Sequence, residues 1–187
     1  MKSLCGIDEA GRGPLAGPLV MAGVILKNPV EGLTDSKKLT EKRREILFGL
    51  IRENALYHLV SFSADEIDRV GISCCLRRGL EEIQASLPEC HYLFDGNSTF
   101  GATGVETMVK ADEKVPEVSA ASILAKVTRD REMVRQAKYY PHYGFEKHKG
   151  YGTKAHIDAL MRYGRSPLHR RSFRVKGLED KDGSALQ

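Results

Sequence analysis

The sequence predicts an α/β fold in one domain, on three observations. Short apolar or β-branched runs recur along the chain, stretches with helical periodicity separate them, and 187 residues with 41% hydrophobic content suffice for one well-buried core and are few for two. The domain is expected to span 1–176, with a basic helical segment at about 139–176 and a disordered tail at 177–187. No run approaches membrane length and the N-terminus lacks the order of a secretory signal, so a cytoplasmic protein is expected.

Leu4, Cys5 and Ile7 suggest a first strand that delivers Asp8 and Glu9 to its own end. Glycines at 11 and 13 let backbone come close to a ligand, and Arg12 sets a fixed positive charge beside two negative ones. The stretch is no P-loop, because no Gly-Lys-Ser/Thr follows. Nor is it a dinucleotide fingerprint, since Gly11, Gly13 and Gly17 miss that spacing. Pro18 to Lys27, bounded by Gly-Pro and Asn-Pro, reads as a core strand in a hairpin with the first. A loop through 34–38 carries Lys37 and Lys38 to the mouth of a helix that starts at about Thr40 as N-cap. Ile46, Leu47, Leu50 and Ile51 share one face of that helix.

Leu56 to Phe62 alternates as a third strand, and Ser63 with Glu66 forms a capping box for a short helix. A helix from about Ser73 to Ser86 places Leu76, Leu80, Ile83 and Leu87 at helical spacing, so its neighbours Cys74 and Cys75 are read as packing rather than reactive. Pro88 ends it. His91 to Phe94 then runs into Asp95 and Gly96, repeating the opening pattern of an apolar strand that ends in a carboxylate, and 105–109 offers a fifth strand shortly before Asp112. A long helix follows from Val118 to about Lys138, with small residues Ser119 to Ser122 suited to tight packing or to room for a substrate. Tyr139 to Thr153 is aromatic, basic and glycine-containing, the composition of a mobile loop over nucleic acid. A last helix, about Lys154 to Tyr163, precedes a basic segment from Arg165 to Lys176.

Charge is distributed unevenly. Residues 126–176 hold 14 Lys and Arg against four acids, a net +10, whereas residues 1–125 hold 14 against 18, a net −4. A basic third on a mildly acidic body suits a polyanion along one face, or else a solvated surface. The four cysteines include an adjacent pair and no Cys-x-x-Cys, which encourages neither a disulfide framework nor a zinc site.

Asp8, Glu9, Asp95 and Asp112 all lie at or just beyond strand ends, where ligands bind in a sheet protein. Carboxylates without sulfur or a histidine cluster favour Mg²⁺ or Mn²⁺ over zinc, and a bound metal relieves their repulsion. Two such ions about 4 Å apart suit phosphodiester hydrolysis. A nucleic-acid binding module without catalysis, and an unrelated α/β protein with acids in solvated turns, are the alternatives.

GIDEAGRGPLAGP, the DSKKL loop, LFDGN, VKADEKVPEVSAASILAKVTRD, GYGTKAH and GRSPLHRRSF, in this order over about residues 4 to 175, resemble bacterial ribonuclease HII, the type 2 ribonuclease H. The resemblance implies a ribonuclease H-like fold: a central mixed five-stranded sheet flanked by helices, with a C-terminal helical segment. It implies an endonuclease that hydrolyses the RNA strand of RNA/DNA hybrids and incises 5′ of single ribonucleotides in duplex DNA, leaving 3′-hydroxyl and 5′-phosphate ends, and a monomer is expected. Asp8, Glu9, Asp95 and Asp112 match the family's acidic metal positions, with two Mg²⁺ or Mn²⁺ ions implied. Gly11, Arg12 and Gly13 match the tripeptide whose backbone recognises the 2′-hydroxyl, the group that separates RNA from DNA. Tyr151 matches the tyrosine that packs on the following deoxyribose, Lys37 matches a phosphate contact, and Lys126 and Arg171 are assigned phosphate contacts by extension. Two departures stand out. GISCC lacks the asparagine and alanine usual after GI, and KAD replaces KGD.

Overall fold

The computed structural model describes residues 3–33 and 39–178, so Lys37 and most of the tail lie outside the described residues. Five strands, β1 (Leu4–Ala10), β2 (Leu19–Leu26), β3 (Ala55–Phe62), β4 (His91–Asp95) and β5 (Val105–Met108), form one sheet in the order β3-β2-β1-β4-β5. β1 and β2 are antiparallel, as the hairpin predicted, and β2 pairs antiparallel with β3. β4 runs parallel to β1 and to β5. Three parallel strands therefore end on the same edge of a mixed sheet.

Helices cover both faces. Between β2 and β3 lies α1 (Glu41–Asn54); α2 (Ala64–Val70) and α3 (Ile72–Ser86) precede β4, and α4 (Pro116–Ala137) follows β5. Alternation along β2 shows the division: Leu19 and Met21 pack with Leu76, Leu80 and Ile83 of α3, whereas Val20, Ala22 and Val24 pack with α1 and α4. The capping box at Ser63 and Glu66 is present, and Thr40 caps α1 by accepting from the Arg43 amide. On α1 the buried face is Leu47, Phe48 and Ile51, while Ile46 and Leu50 are exposed. The predicted face is thus rotated toward Phe48, because α1 packs against α4 as well as against the sheet.

Ser119, Ala120 and Ala121 are fully buried, so the small residues serve close packing. Gly6 shows how close: a β-carbon there would lie 2.2 Å from the Glu117 carbonyl carbon and the Val118 amide nitrogen. The KAD departure is absorbed by the same region. Ala111 is buried in a small cluster with Leu93 and Val118, and the left-handed residue is its neighbour Lys110, at φ 57°.

Past α4 the chain builds a second, smaller core. Tyr143, Phe145 and Leu160, from α5 (Phe145–His148), α6 (Lys154–Tyr163) and the turn before α5, pack with Ala16, Met133, Val175 and Leu178. This corrects the expectation of a mobile aromatic loop. Tyr143 and Phe145 are buried because the segment must cover the end of α4, and Tyr139 and Tyr151 remain exposed. Leu178 is buried too, so packing extends two residues past Lys176. All four cysteines are free, and no helix among the described residues is long and apolar enough to cross a membrane.

Candidate metal and nucleic-acid site

The register of the parallel strands brings the acids together. Ile7 is level with Phe94, so Asp8 on β1 and Asp95 on β4 sit side by side at the sheet edge. Beyond β5 a 3-10 turn, Ala111–Glu113, carries Asp112, and the Ala111 amide donates to Asp95 Oδ1 at 3.0 Å. The turn is therefore tied to the strand end it faces. Oxygens of Asp8, Asp95 and Asp112 lie within 4.8 Å of one another, with Asp8 and Asp112 buried. Glu9 is adjacent but outside that trio, its Oε1 2.6 Å from Arg12 Nη2.

Electrostatics make this cluster costly to ionise. Burial, then the neighbouring Glu9, Asp95 and Asp112 carboxylates, push the Asp8 carboxyl well above the usual range. Burial raises Glu9 as well, with Arg12 opposing it. Glu9 Oε2 is buried with no hydrogen-bond partner among the described residues. An oxygen-only donor set with an orphaned buried carboxylate oxygen beside it fits a hard divalent cation.

Beside the acids, residues 11–18 are held by two buried guanidiniums. Arg170 donates to the carbonyl oxygens of Gly11, of Arg12 at 3.1 Å and of Gly17 at 3.0 Å. Arg129 donates to Ala16 at 2.9 Å, Pro18 at 2.8 Å and Lys149 at 2.8 Å. Each arginine is only 1% exposed. No cis peptide occurs among the described residues, and in a trans peptide the N–H points opposite the C=O. Carbonyls of Gly11 and Arg12 drawn toward Arg170 therefore turn the amides of Arg12 and Gly13 the other way.

The C-terminal segment is stitched to this loop by backbone bonds: Leu15 to Gly150, Gly17 to Leu168 and Arg170 to Leu15, each 2.8–2.9 Å. It brings Tyr151, half exposed, so that the Arg129 guanidinium lies 5.5 Å from its ring centroid. Lys126 is held by both oxygens of Asp130 at 2.9 Å, and Arg171 is fixed through its amide to Asp68 at 2.8 Å.

Arg170 and His169 belong to the basic segment whose charge suits either a polyanion or a solvated surface, and both are buried. Sequence reasoning passed over Arg129, although the helical spacing of Ala125, Arg129 and Met133 marks a single inward face. Further basic charge of this third is paired within the protein, Arg131 with Glu45, Arg135 with Glu132 and Lys154 with Asp158.

A mixed five-stranded sheet, helices on both faces and carboxylates gathered at the edge where parallel strands end define a ribonuclease H-like protein with a candidate metal centre. A family model described as Ribonuclease HII matches residues 5–176. Ribonuclease HII of Sulfurovum sp. (strain NBC37-1) is 73% identical over 179 residues, covering 96% of this chain and 95% of that protein. Ribonuclease HII of Aliarcobacter butzleri (strain RM4018) is 55% identical over 97% of this chain and 96% of its own. Among solved structures, the PCNA:RNase HII complex from Archaeoglobus fulgidus aligns with a TM-score of 0.79 at 30% identity, covering 95% of this chain and 99% of that one. Bst-RNase HIII in complex with Mn²⁺ aligns at 0.70 and 18% identity over 92% of this chain and 67% of that one, a likeness of fold. The chain belongs to the ribonuclease HII family. It is a metal-dependent endoribonuclease acting on RNA/DNA hybrids.

Proposed function

We propose that this enzyme also incises 5′ of single ribonucleotides embedded in duplex DNA, leaving a 3′-hydroxyl and a 5′-phosphate, and that it serves ribonucleotide removal from DNA. The observation that carries the reading is the adjacency of the Asp8, Asp95 and Asp112 oxygens to a loop whose Arg12 and Gly13 amides Arg170 turns outward. Asp8, Glu9, Asp95 and Asp112 would hold two Mg²⁺ or Mn²⁺ ions, and the chemistry these would supply there is activation of a water and neutralisation of charge at the leaving oxygen.

The protein's own groups do the rest. The backbone of Gly11, Arg12 and Gly13 meets the 2′-hydroxyl, the one group that a deoxyribose lacks. Gly13 has nothing within 4 Å of where a β-carbon would stand, which leaves that side open to a sugar. Tyr151 stacks on the next sugar, where a ring face tolerates a deoxyribose. Lys37, Lys126 and Arg171 contact backbone phosphates. All the named groups come from a single chain, and the enzyme works as a monomer.

The test is an end-labelled DNA duplex with one embedded ribonucleotide, incubated with Mg²⁺, with Mn²⁺ and with chelator, beside an all-DNA duplex and a continuous RNA/DNA hybrid. Metal-dependent incision on the 5′ side of the ribonucleotide alone is expected. Cleavage of the hybrid without incision at the single ribonucleotide refutes the junction reading. Binding of both duplexes without hydrolysis in any divalent ion returns the protein to a non-catalytic module.

A further inference from the structure

Two histidines of the C-terminal segment, His169 and His156, form a directed hydrogen-bond chain that ends on Tyr151. The Ser166 amide donates to His169 Nδ1 at 2.9 Å. A backbone N–H only donates, so His169 Nδ1 is the acceptor, and in a neutral imidazole the hydrogen then sits on Nε2. His169 Nε2 lies 2.9 Å from His156 Nε2, which must therefore accept, and the hydrogen of His156 falls to Nδ1. His156 Nδ1 faces the Tyr151 carbonyl oxygen at 2.9 Å and donates to it. His148 follows the same logic: its Nδ1 accepts from the Gly150 amide at 3.1 Å, so its Nε2 donates to the Tyr143 carbonyl at 2.6 Å.

The consequence falls on the aim of the Tyr151 ring. Its amide donates to the His148 carbonyl at 3.0 Å, which fixes the peptide before it, and its carbonyl accepts from His156, which fixes the peptide after it. With both planes held, the direction of the Cα–Cβ bond is set. The carbonyl already accepts from the Thr153 amide at 2.8 Å, so the bond from His156 is not needed to satisfy it. His156 is fully buried and His169 is 3% exposed, and the His148 and His156 rings stack at 4.2 Å, so the pair is held rigidly behind an exposed tyrosine.

We propose that His156, with its tautomer set by His169, is a positioning residue for Tyr151 and through it sets the preference for an RNA-DNA junction over a continuous hybrid. The inference rests on the reading of Tyr151 as the residue that packs on the sugar after the ribonucleotide.

Two substitutions of His156 separate aim from packing. The amide nitrogen of His156→Asn stands near the Nδ1 position and keeps the donation to Tyr151, whereas the amide of His156→Gln reaches toward His169 and loses it. His156→Gln is expected to lose about tenfold in kcat/KM on the single-ribonucleotide duplex, chiefly through KM, and less than about threefold on a continuous hybrid. His156→Asn keeps both values within about threefold of the parent. Equal losses on both substrates, or the same loss for both variants, overturn the positioning role.

Tyr151→Ala serves as the control. If it falls equally on both substrates, the reading of Tyr151 fails. If it is selective while His156→Gln is not, the relay alone fails. Imidazole ¹⁵N shifts of the parent provide a readout independent of activity: His156 with its hydrogen on Nδ1 and His169 with its hydrogen on Nε2 are expected, and the opposite tautomers overturn the chain.

Discussion

The Arg170 guanidinium donates to the carbonyl oxygen of Gly11, 159 positions away in sequence, and its other two hydrogen bonds go to carbonyls of the same loop. A buried cation is here paired with peptide dipoles. Burial, then the nearby Arg129, bring the Arg170 pKa down to about 10, which still leaves it charged at neutral pH. The shape of the loop beside the acids thus depends on a residue from the far end of the chain.

Replacing Arg170 with Met should strip three carbonyls of their donor at once. Each unsatisfied buried group costs about 1–3 kcal/mol, so a loss of at least about 3 kcal/mol is expected in urea denaturation. Arg170→Lys should recover less than half of it, because an ammonium lacks the planar fork that spans separate oxygens. Full recovery by Lys would show that charge alone is needed.

The acid cluster has the opposite character, being unfavourable to the fold without a cation. Asp112→Asn removes one of the charges that face Asp8 and should stabilise the metal-free protein by about 1 kcal/mol, while abolishing the gain in melting temperature that Mg²⁺ or Mn²⁺ gives the parent. Hybrid cleavage should fall on the order of a thousandfold. Equal stabilisation of parent and variant by metal would place the ion elsewhere.

The strands were legible because each run is short and set off by turn residues or a helix, and the acids because they lie at or just beyond strand ends, Asp8 and Glu9 on β1 and Asp95 on β4, a pattern that local chemistry writes directly into sequence. Asp112 was legible for the same reason. The burial of Arg129 and Arg170 was not legible, because their partners are backbone carbonyls of distant segments, and that of His156 and His169 was not, because rings that bond each other and nearby backbone have no signature in residue type. Charge suggested solvent or phosphate for the arginines, and only the packing shows otherwise. The exposed faces of α1 were misassigned at Ile46 and Leu50 for a related cause: periodicity fixes the spacing of a buried face, and the contact with α4 fixes its direction.

Acid should weaken the C-terminal segment before it protonates most carboxylates. Burial, then His156, hold the His169 pKa down to about 3, with Arg165 and His148 acting in the same direction, and burial lowers His156 too. The rings of Tyr143 and Phe145 enclose the pair. A base with a depressed folded pKa lends stability that is fully present above its unfolded value near 6.5 and is lost as pH falls toward 3. His169 alone removes about 1.4 kcal/mol per pH unit over that window. Urea denaturation at pH 7, 6 and 5 should show this fall in the parent, with a shallower slope in His169→Gln. Parallel slopes would mean that His169 is not buried as a neutral ring.

Gly11 and Gly13 look alike in sequence and should respond differently to Ala. Gly11 has φ 93°, and a β-carbon there would fall 2.2 Å from Arg129 Nε and 2.5 Å from the Pro18 oxygen. Gly11→Ala should therefore cost stability and activity together, by about 2 kcal/mol or more, through backbone strain and displacement of a buried arginine. Gly13 has no positive φ and nothing within 4 Å of an added β-carbon. The folded protein gives it no reason to be glycine, so Gly13→Ala should unfold within about 0.5 kcal/mol of the parent. If substrate approaches that side of the loop, incision should nonetheless fall by at least about tenfold, with the added methyl standing where the ribose must come. Unchanged incision by a normally stable Gly13→Ala would remove Gly13 from the contact surface and leave the 2′-hydroxyl to the Arg12 amide alone.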